Sequence, residues 1–479
     1  MQFPTLGFAV FYTLVLSLAW LARGNRVWRN LLLLAASYWF YAALDWRFVV
    51  ILVASSLTFY GAGELIARAA SERGARGWLA AGITINLLLL AVFKYYNFFI
   101  DSLAGLAETL GMSQHLPVLE ILFPVGISFY VFQGISYLLD LSWKRGVRAG
   151  NVLDFLLYMT LFPQLLAGPI CRSKELLPQI MGEPPKACPD VTRAAVLILS
   201  GLMKKAVLAH FIDVQLVGNI FSGPENFTAP ALWMGMLGYT LLIYWDFSGY
   251  TDLARGLGLL LGFEIPENFD HPYVATDISD FWRRWHMTLS FWLRDYLFLP
   301  WANRWARGFR RFLGRSASAL TGSQLSLSAT FIICGLWHGA AWTFVLWGLY
   351  HGVLLFVHHG LRNGMKLRWR GGWWGRLGTL VLVAFGWVLF NAGSFDNCWL
   401  YLTRMFNFQV AGEGFQLLVL PVVIFGFAIH VYGPGLRRLY TTLSERLPWG
   451  WRPVLWFATG MVLLVIKPSG IAPYIYFGF

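Results

Sequence analysis

The chain has 479 residues, 57% of them hydrophobic and only 13% charged, against about 45–50% apolar and about 25% charged in soluble domains. A soluble enzyme is excluded. The net charge of +13 comes from Lys and Arg in short stretches between apolar runs, which is how membrane loops facing anionic headgroups are built, and it argues against nucleic acid as a partner.

The first apolar run, 3–22, has no basic residue before it, and cleavage after Ala22 would need the bulky Trp20 at the minus-three position, so it reads as a signal anchor. Arg23, Arg26 and Arg29 follow, which places the N-terminus outside and this loop in the cytoplasm. Runs at 31–43 and 48–66 lead to Arg68, Arg73 and Arg76, and runs at 79–100 and 119–141 lead to Lys144, Arg145 and Arg148. Both basic loops fall inside, and the segment with Asp101, Glu108 and Glu120 falls outside. Residues 155–180 break the alternation. Their apolar part is short and ends in Pro163, Gly168 and Pro169, with Arg172 and Lys174 where basic loops already lie. A re-entrant segment is expected, which a bilayer tolerates only where the backbone is buried in protein or lines a cavity.

Runs at 194–221 and 232–250 flank an outer loop through Pro224 and Asn226, and Asp252 and Arg255 return the chain to the cytoplasmic side. Residues 280–315 interleave arginines with tryptophans and read as an interfacial or partly inserted cytoplasmic segment. Runs at 325–340 and 341–360 form a membrane hairpin with both ends at basic loops, the second holding Arg362, Lys366, Arg368, Arg370 and Arg376. Its apex then lies deep in the membrane or beyond it. Runs at 377–389, 417–431 and 455–465 flank an acidic outer loop with Asp396 and a basic inner loop with Arg437 and Arg438. The sequence thus predicts an all-α polytopic membrane protein, a single domain over 1–479 with about 11 or 12 transmembrane helices. No internal repeat or heptad run is present.

Ionisable residues in such spans are expensive and point to function. Gly335-Leu336-Trp337-His338-Gly339 puts a histidine at the hairpin apex between glycines and tryptophans. An imidazole can take a proton from a hydroxyl at neutral pH, and indole walls exclude water around it. The competing reading is a core histidine bonded to a carbonyl. In Asp280-Phe281-Trp282-Arg283-Arg284-Trp285-His286, helical spacing sets Asp280 beside Arg283 and Arg284, and Trp282 beside His286. The arginines suit an anionic donor, or else form a positive-inside belt. Asp246-Phe247-Ser248-Gly249-Tyr250-Thr251-Asp252 sets two carboxylates beside hydroxyls, as a proton relay or as structural partners of basic residues.

His351, His358 and His359 match no zinc signature, so no metal is expected. His115, His210, His271 and His430 read as structural or loop histidines, and Asn268 as a turn residue with an outside chance of substrate contact. Cys171, Cys188, Cys334 and Cys398 form no CxxC pair, so neither redox chemistry nor disulfide stapling is indicated.

Together, Phe162-Pro163-Gln164-Leu165-Leu166-Ala167-Gly168-Pro169, Asp246-Phe247-Ser248-Gly249-Tyr250, Phe281-Trp282-Arg283-Arg284-Trp285-His286 and Gly335-Leu336-Trp337-His338-Gly339 resemble the bacterial membrane-bound O-acyltransferases, in the branch that acetylates alginate and cellulose and D-alanylates teichoic acid. The likeness covers almost the whole chain, including Pro124-Val125-Gly126-Ile127-Ser128-Phe129-Tyr130 and the Tyr474-Ile475-Tyr476-Phe477 end. Trp301-Ala302-Asn303-Arg304 departs from the family's usual Gly-Gly-Asn-Arg. The resemblance implies a helical bundle around a central tunnel, with His338 as the essential histidine and His286 as the second. Arg283, Arg284, Trp337, Trp285, Asp246, Ser248 and Tyr250 are then donor or tunnel candidates. It further implies a bacterial inner-membrane enzyme with no tightly bound cofactor, an acyl thioester donor such as acetyl-CoA, a polysaccharide acceptor, and a periplasmic SGNH-like acetyltransferase partner. D-alanyl transfer, a flippase for a lipid-linked sugar, and a scaffold for a periplasmic acetyltransferase are the competing readings.

Overall fold

The computed structural model describes residues 3, 5–112, 119, 121–187, 190–363 and 371–468. His115, Glu120, Cys188, Lys366, Arg368, Arg370 and the Tyr474-Ile475-Tyr476-Phe477 end lie outside them. Every regular element among the described residues is helical, and the one strand-like pairing is an isolated Phe227–Glu413 bridge. The chain is an all-α polytopic membrane protein.

Nine helical stretches among the described residues are long and apolar enough to cross a membrane. Three further apolar runs lie on the helices Arg26–Ala42 and Ile127–Ser142, of 17 and 16 residues, and on Ala229–Leu260, which Asp246 and Asp252 make more polar. Each of the twelve apolar runs therefore lies on a helix, the run 119–141 only from Ile127 onward. Several start at caps written in the sequence: Thr5, Asn25, Asp45, Ser71 and Asn151 each accept a backbone N–H of the following turn, which satisfies a donor the helix itself leaves open.

The helices sort into two compact units, residues 1–194 with 253–266, and 195–252 with 267–479. In the first, Phe3, Phe8, Phe40 and Phe162 pack ring on ring. Tyr12 Oη donates to the Leu257 carbonyl at 2.7 Å and Trp20 Nε1 to Leu260 at 3.0 Å. Residues 155–180 lie on three short helices, Val152–Thr160, Phe162–Leu165 and Ser173–Met181. The longer ones, nine residues each, rise about 14 Å, half of a hydrocarbon core about 30 Å thick. Residues 157–171 are buried throughout. Tyr158 Oη donates to the Cys171 carbonyl at 2.9 Å, and Gln133 Nε2 donates to the Tyr158 carbonyl at 2.6 Å, so backbone without helical partners finds them in protein.

In the second unit the arginine–tryptophan segment has an order of its own. The helix Ile278–Arg284 ends in a turn at Trp285 and His286, and Met287–Leu293 runs through a π-helical turn, Arg294–Phe298, into Leu299–His338. Gly314, at φ 72°, reverses this last helix, a backbone state that costs a residue with a Cβ. Residues 299–313 then fold back along 315–338: Ala302 and Ala306 lie where a Gly322 side chain would be, and Ser326 Oγ donates to the Phe298 carbonyl at 2.7 Å. Arg304, Arg307, Arg310, Arg311 and Arg315 are exposed along this arm.

Gly339, Ala340 and Ala341 join Leu299–His338 to the helix Trp342–Asn363 in the expected hairpin. The Phe344 carbonyl fills the place of a Gly335 side chain, and the Phe331 carbonyl that of Gly348. What approaches the glycines is the hairpin's own other helix, at backbone-to-backbone range.

Candidate active site

Asn268 and His286 form a bonded polar pair in the second unit, and both are fully buried. His286 sits between two helices with a left-handed backbone, φ 42° and ψ 54°, a conformation rare for a residue with a side chain. Two backbone bonds hold it there: Met287 N–H donates to the Asn268 carbonyl at 2.9 Å and Ser290 N–H to the His286 carbonyl at 2.9 Å. The Asn268 side-chain oxygen meets His286 Nδ1 at 3.1 Å, Thr288 N at 3.1 Å and Thr288 Oγ1 at 2.8 Å. A backbone amide only donates, so the atom it meets on Asn268 is the carbonyl oxygen, and His286 Nδ1 must carry a proton to donate to it. In the neutral ring the basic lone pair is therefore on Nε2. Phe247 stands edge-on to the imidazole at 4.6 Å between centroids.

Trp337 connects this group to the hairpin apex. Its ring lies 5.9 Å from His286 and 4.9 Å from His338. His338 is 3% exposed, and Trp347 and Phe390 close around it edge-on at 5.1 and 5.2 Å. Trp285 packs against Phe269 at 5.1 Å and Trp387 at 4.8 Å, and Trp387 stacks on Trp347 at 5.9 Å. The two histidines thus share one aromatic wall.

The arginine pair is arranged otherwise than helical spacing implies. Asp280 does pair with Arg283 at 3.3 Å and Arg284 at 3.1 Å, and Arg284 also reaches Asp270 at 3.1 Å. Trp282 does not lie beside His286, however, because the helix stops at Arg284 and the left-handed turn carries His286 away; Trp282 packs on Phe331, Trp347 and His351 instead. The Arg283 side chain is more than half exposed.

On Ala229–Leu260 it is Phe247, between Asp246 and Ser248, that reaches His286. Asp246 forms a buried ion pair with Lys205, and Asp252 pairs with Lys204 at 2.7 Å and Arg437 at 3.1 Å. Ser248 and Tyr250 are buried in the same helix. The cationic partners are mainly lysines, and the signal that could have named them is the Lys204-Lys205 pair inside an apolar run. Asn268 was legible as a turn residue with an outside chance of substrate contact, and not as the partner of His286, which lies 18 positions away. His351 lies in the aromatic cluster of Trp282 and Trp347, and His358 faces Asp277 at 3.7 Å. No group of three or more metal-ligating side chains occurs among the described residues.

Comparison with known proteins shows the family. The model of the membrane-bound O-acyltransferase family, MBOAT, matches residues 147–402, which hold both histidines. "Probable alginate O-acetylase AlgI" of Azotobacter vinelandii is 36% identical over 449 residues, covering 90% of this chain and 84% of that protein. The protein of the same description from Pseudomonas aeruginosa is 36% identical over 431 residues, 86% of this chain and 77% of its own. A peptidoglycan O-acetyltransferase of Helicobacter pylori is 30% identical over 412 residues, 78% of this chain and 73% of its own.

Proposed function

This chain belongs to the membrane-bound O-acyltransferase family and is an O-acyltransferase, and from that premise we propose that it passes an acetyl group from a cytosolic thioester, acetyl-CoA, across the bacterial inner membrane to a hydroxyl of an envelope polysaccharide. The acceptor is the polymer itself or a serine of a periplasmic SGNH-like partner that finishes the transfer. Relatives described as acting on alginate and peptidoglycan support an envelope polymer as the acceptor class.

The observation that carries the mechanism is the pair of buried histidines on one aromatic wall. In the proposed step His338 takes the proton of the acceptor hydroxyl as its oxygen attacks the thioester carbonyl. The new C–O bond forms, the C–S bond breaks, and the departing thiolate takes a proton. His286, oriented by Asn268, positions donor or acceptor. Exclusion of water by Trp337, Trp347 and Phe390 protects the thioester from hydrolysis. Arg283, exposed, is the candidate for the CoA phosphates, whereas Arg284 is engaged by two carboxylates. Asp246, bound to Lys205, holds the fold.

The test uses inside-out vesicles containing the protein and its genomic neighbours, with acetyl-labelled CoA added outside. Label should reach luminal protein or polymer, and His338→Ala should lower the rate by roughly 10²- to 10⁴-fold, the usual contribution of a positioned base. Equal label with and without His338 would overturn the catalytic role and favour a scaffold. Movement of a lipid-linked sugar without acetyl transfer would favour a flippase.

A further inference from the structure

A second polar constellation lies in the same unit, around a cavity of about 390 Å³, within the usual range of small-molecule sites. Its walls are apolar and include Leu199, Met203 and Leu208 from Val191–Ser222, with Leu436, Leu439 and Leu443 from Val419–Arg446. The last three are strongly exposed, on a helix long and apolar enough to cross a membrane, so the cavity opens on an apolar outer face beside the basic pair Arg437 and Arg438. One side is charged. Lys204 and Arg437 line it, and Asp252 answers both through one carboxylate oxygen, at 2.7 and 3.1 Å. Ser200 Oγ donates to the same oxygen at 2.9 Å. The exposed Glu267 acts on Arg437 only through space and does not line the cavity.

The lining also holds a donor without an acceptor. Pro434 has no N–H, so the carbonyl four residues back, that of His430, lacks its helical partner. His271 Nδ1 donates to it at 3.0 Å. Tyr273 N–H donates to His430 Nε2 at 3.1 Å, so His430 is unprotonated there and its proton is on Nδ1. His430 is 2% exposed, and its Nδ1–H finds no hydrogen-bond partner among the described residues. An N–H buried without an acceptor costs about 1–3 kcal/mol. That leaves a role for an acceptor brought in from outside.

We propose that this cavity is a specific site for an anionic glycerophospholipid, with phosphate at Lys204 and Arg437, an ester carbonyl at His430 Nδ1–H, and an acyl chain along the leucines. An acyl chain suits the apolar wall, two cations suit a phosphate, and the opening between exposed leucines of a helix apolar enough to cross a membrane points to the bilayer as the source. The site shares no residue with the His286–His338 wall.

The experiment is native mass spectrometry of the full chain in detergent, titrated with dioleoylphosphatidylglycerol or dioleoylphosphatidylcholine. Phosphatidylglycerol should be retained roughly tenfold better, equivalent to about 1.4 kcal/mol, and Arg437→Gln should abolish the preference. Gly433→Leu guards against simple misfolding. A Cβ at this position meets only His271 Cε1, at 3.9 Å, and Gly433 lines the cavity, so the added side chain should take up cavity space and lose retention of the lipid, with the melting curve measured alongside to show that the fold survives. Equal retention of the two lipids, or full retention by a stable Gly433→Leu, would overturn the proposal. So would displacement of phosphatidylglycerol by equimolar CoA or inorganic phosphate, which would assign the cations to a soluble phosphate.

Discussion

Asn268 gives one carbonyl oxygen to three donors, and this decides what its replacement does. Asn268→Leu keeps the volume and strands His286 Nδ1–H, Thr288 N–H and the Thr288 hydroxyl, at a cost of about 1–3 kcal/mol for each donor left buried and unmet. The ring loses the contact that fixes its proton on Nδ1. Transfer by Asn268→Leu should therefore fall by roughly 10²-fold or more in kcat with little change in KM, as when an orienting partner is taken from a catalytic histidine. The same change in a His286→Ala background should cost no further activity, because the two residues act as one unit. An additive loss in single-turnover assays would mean that Asn268 serves only the fold. Asn268→Asp, which keeps the acceptor, should retain the melting temperature that Asn268→Leu loses.

The hairpin depends at the level of elements on two positions without side chains. Gly335 and Gly348 each face a carbonyl of the opposite helix at a range that leaves no room for a methyl group, so Gly348→Ala forces the helices apart and should cost about 1–3 kcal/mol as overpacking. Gly360, on the same helix with nothing within 4 Å, is the control, and Gly360→Ala should raise stability by up to about 1 kcal/mol through helix propensity. Equal melting temperatures for the two variants in detergent would refute the close crossing. The same elements show what sequence can carry. Apolar length located the twelve helical runs, since hydrophobic thickness is a local property, and the hairpin reading put His338 at the turn where the helix Leu299–His338 ends. The stop after Arg284 was not legible, because nothing in Trp285-His286 announces a left-handed turn. That turn depends on Asn268, whose backbone carbonyl accepts the Met287 N–H. Nor was the fold-back at Gly314 legible, where an arginine-rich run reads as a surface arm until Gly322 and Ser326 are seen to receive it.

For the molecule as a whole, topology can be argued from which loops meet. Within the first unit Arg26 reaches Asp154 and the Met181 carbonyl, Arg23 reaches the Lys186 carbonyl, and Arg148 and Arg68 both bind Glu64. The loops that charge counting assigns to the cytoplasm are joined by direct bonds. Within the second unit Asn397, beside Asp396, donates to the Phe221 carbonyl at 3.0 Å, and Phe227 bridges Glu413. Loops assigned to the outside meet in the same way. Loops that touch share a face of the membrane, and a positive-inside excess of Lys and Arg predicts that the basic face is the cytoplasmic one. Single cysteines make the test clean, because Cys171, Cys334 and Cys398 are buried and Cys188 can be replaced by serine. A membrane-impermeant maleimide added to intact cells should label Asn226→Cys and Asp396→Cys and leave Arg76→Cys and Arg145→Cys unlabelled, with the pattern reversed in inside-out vesicles. Labelling of Asn226→Cys and Arg145→Cys from the same side would break the alternation on which the proposed delivery of an acyl group from cytosolic donor to external hydroxyl depends.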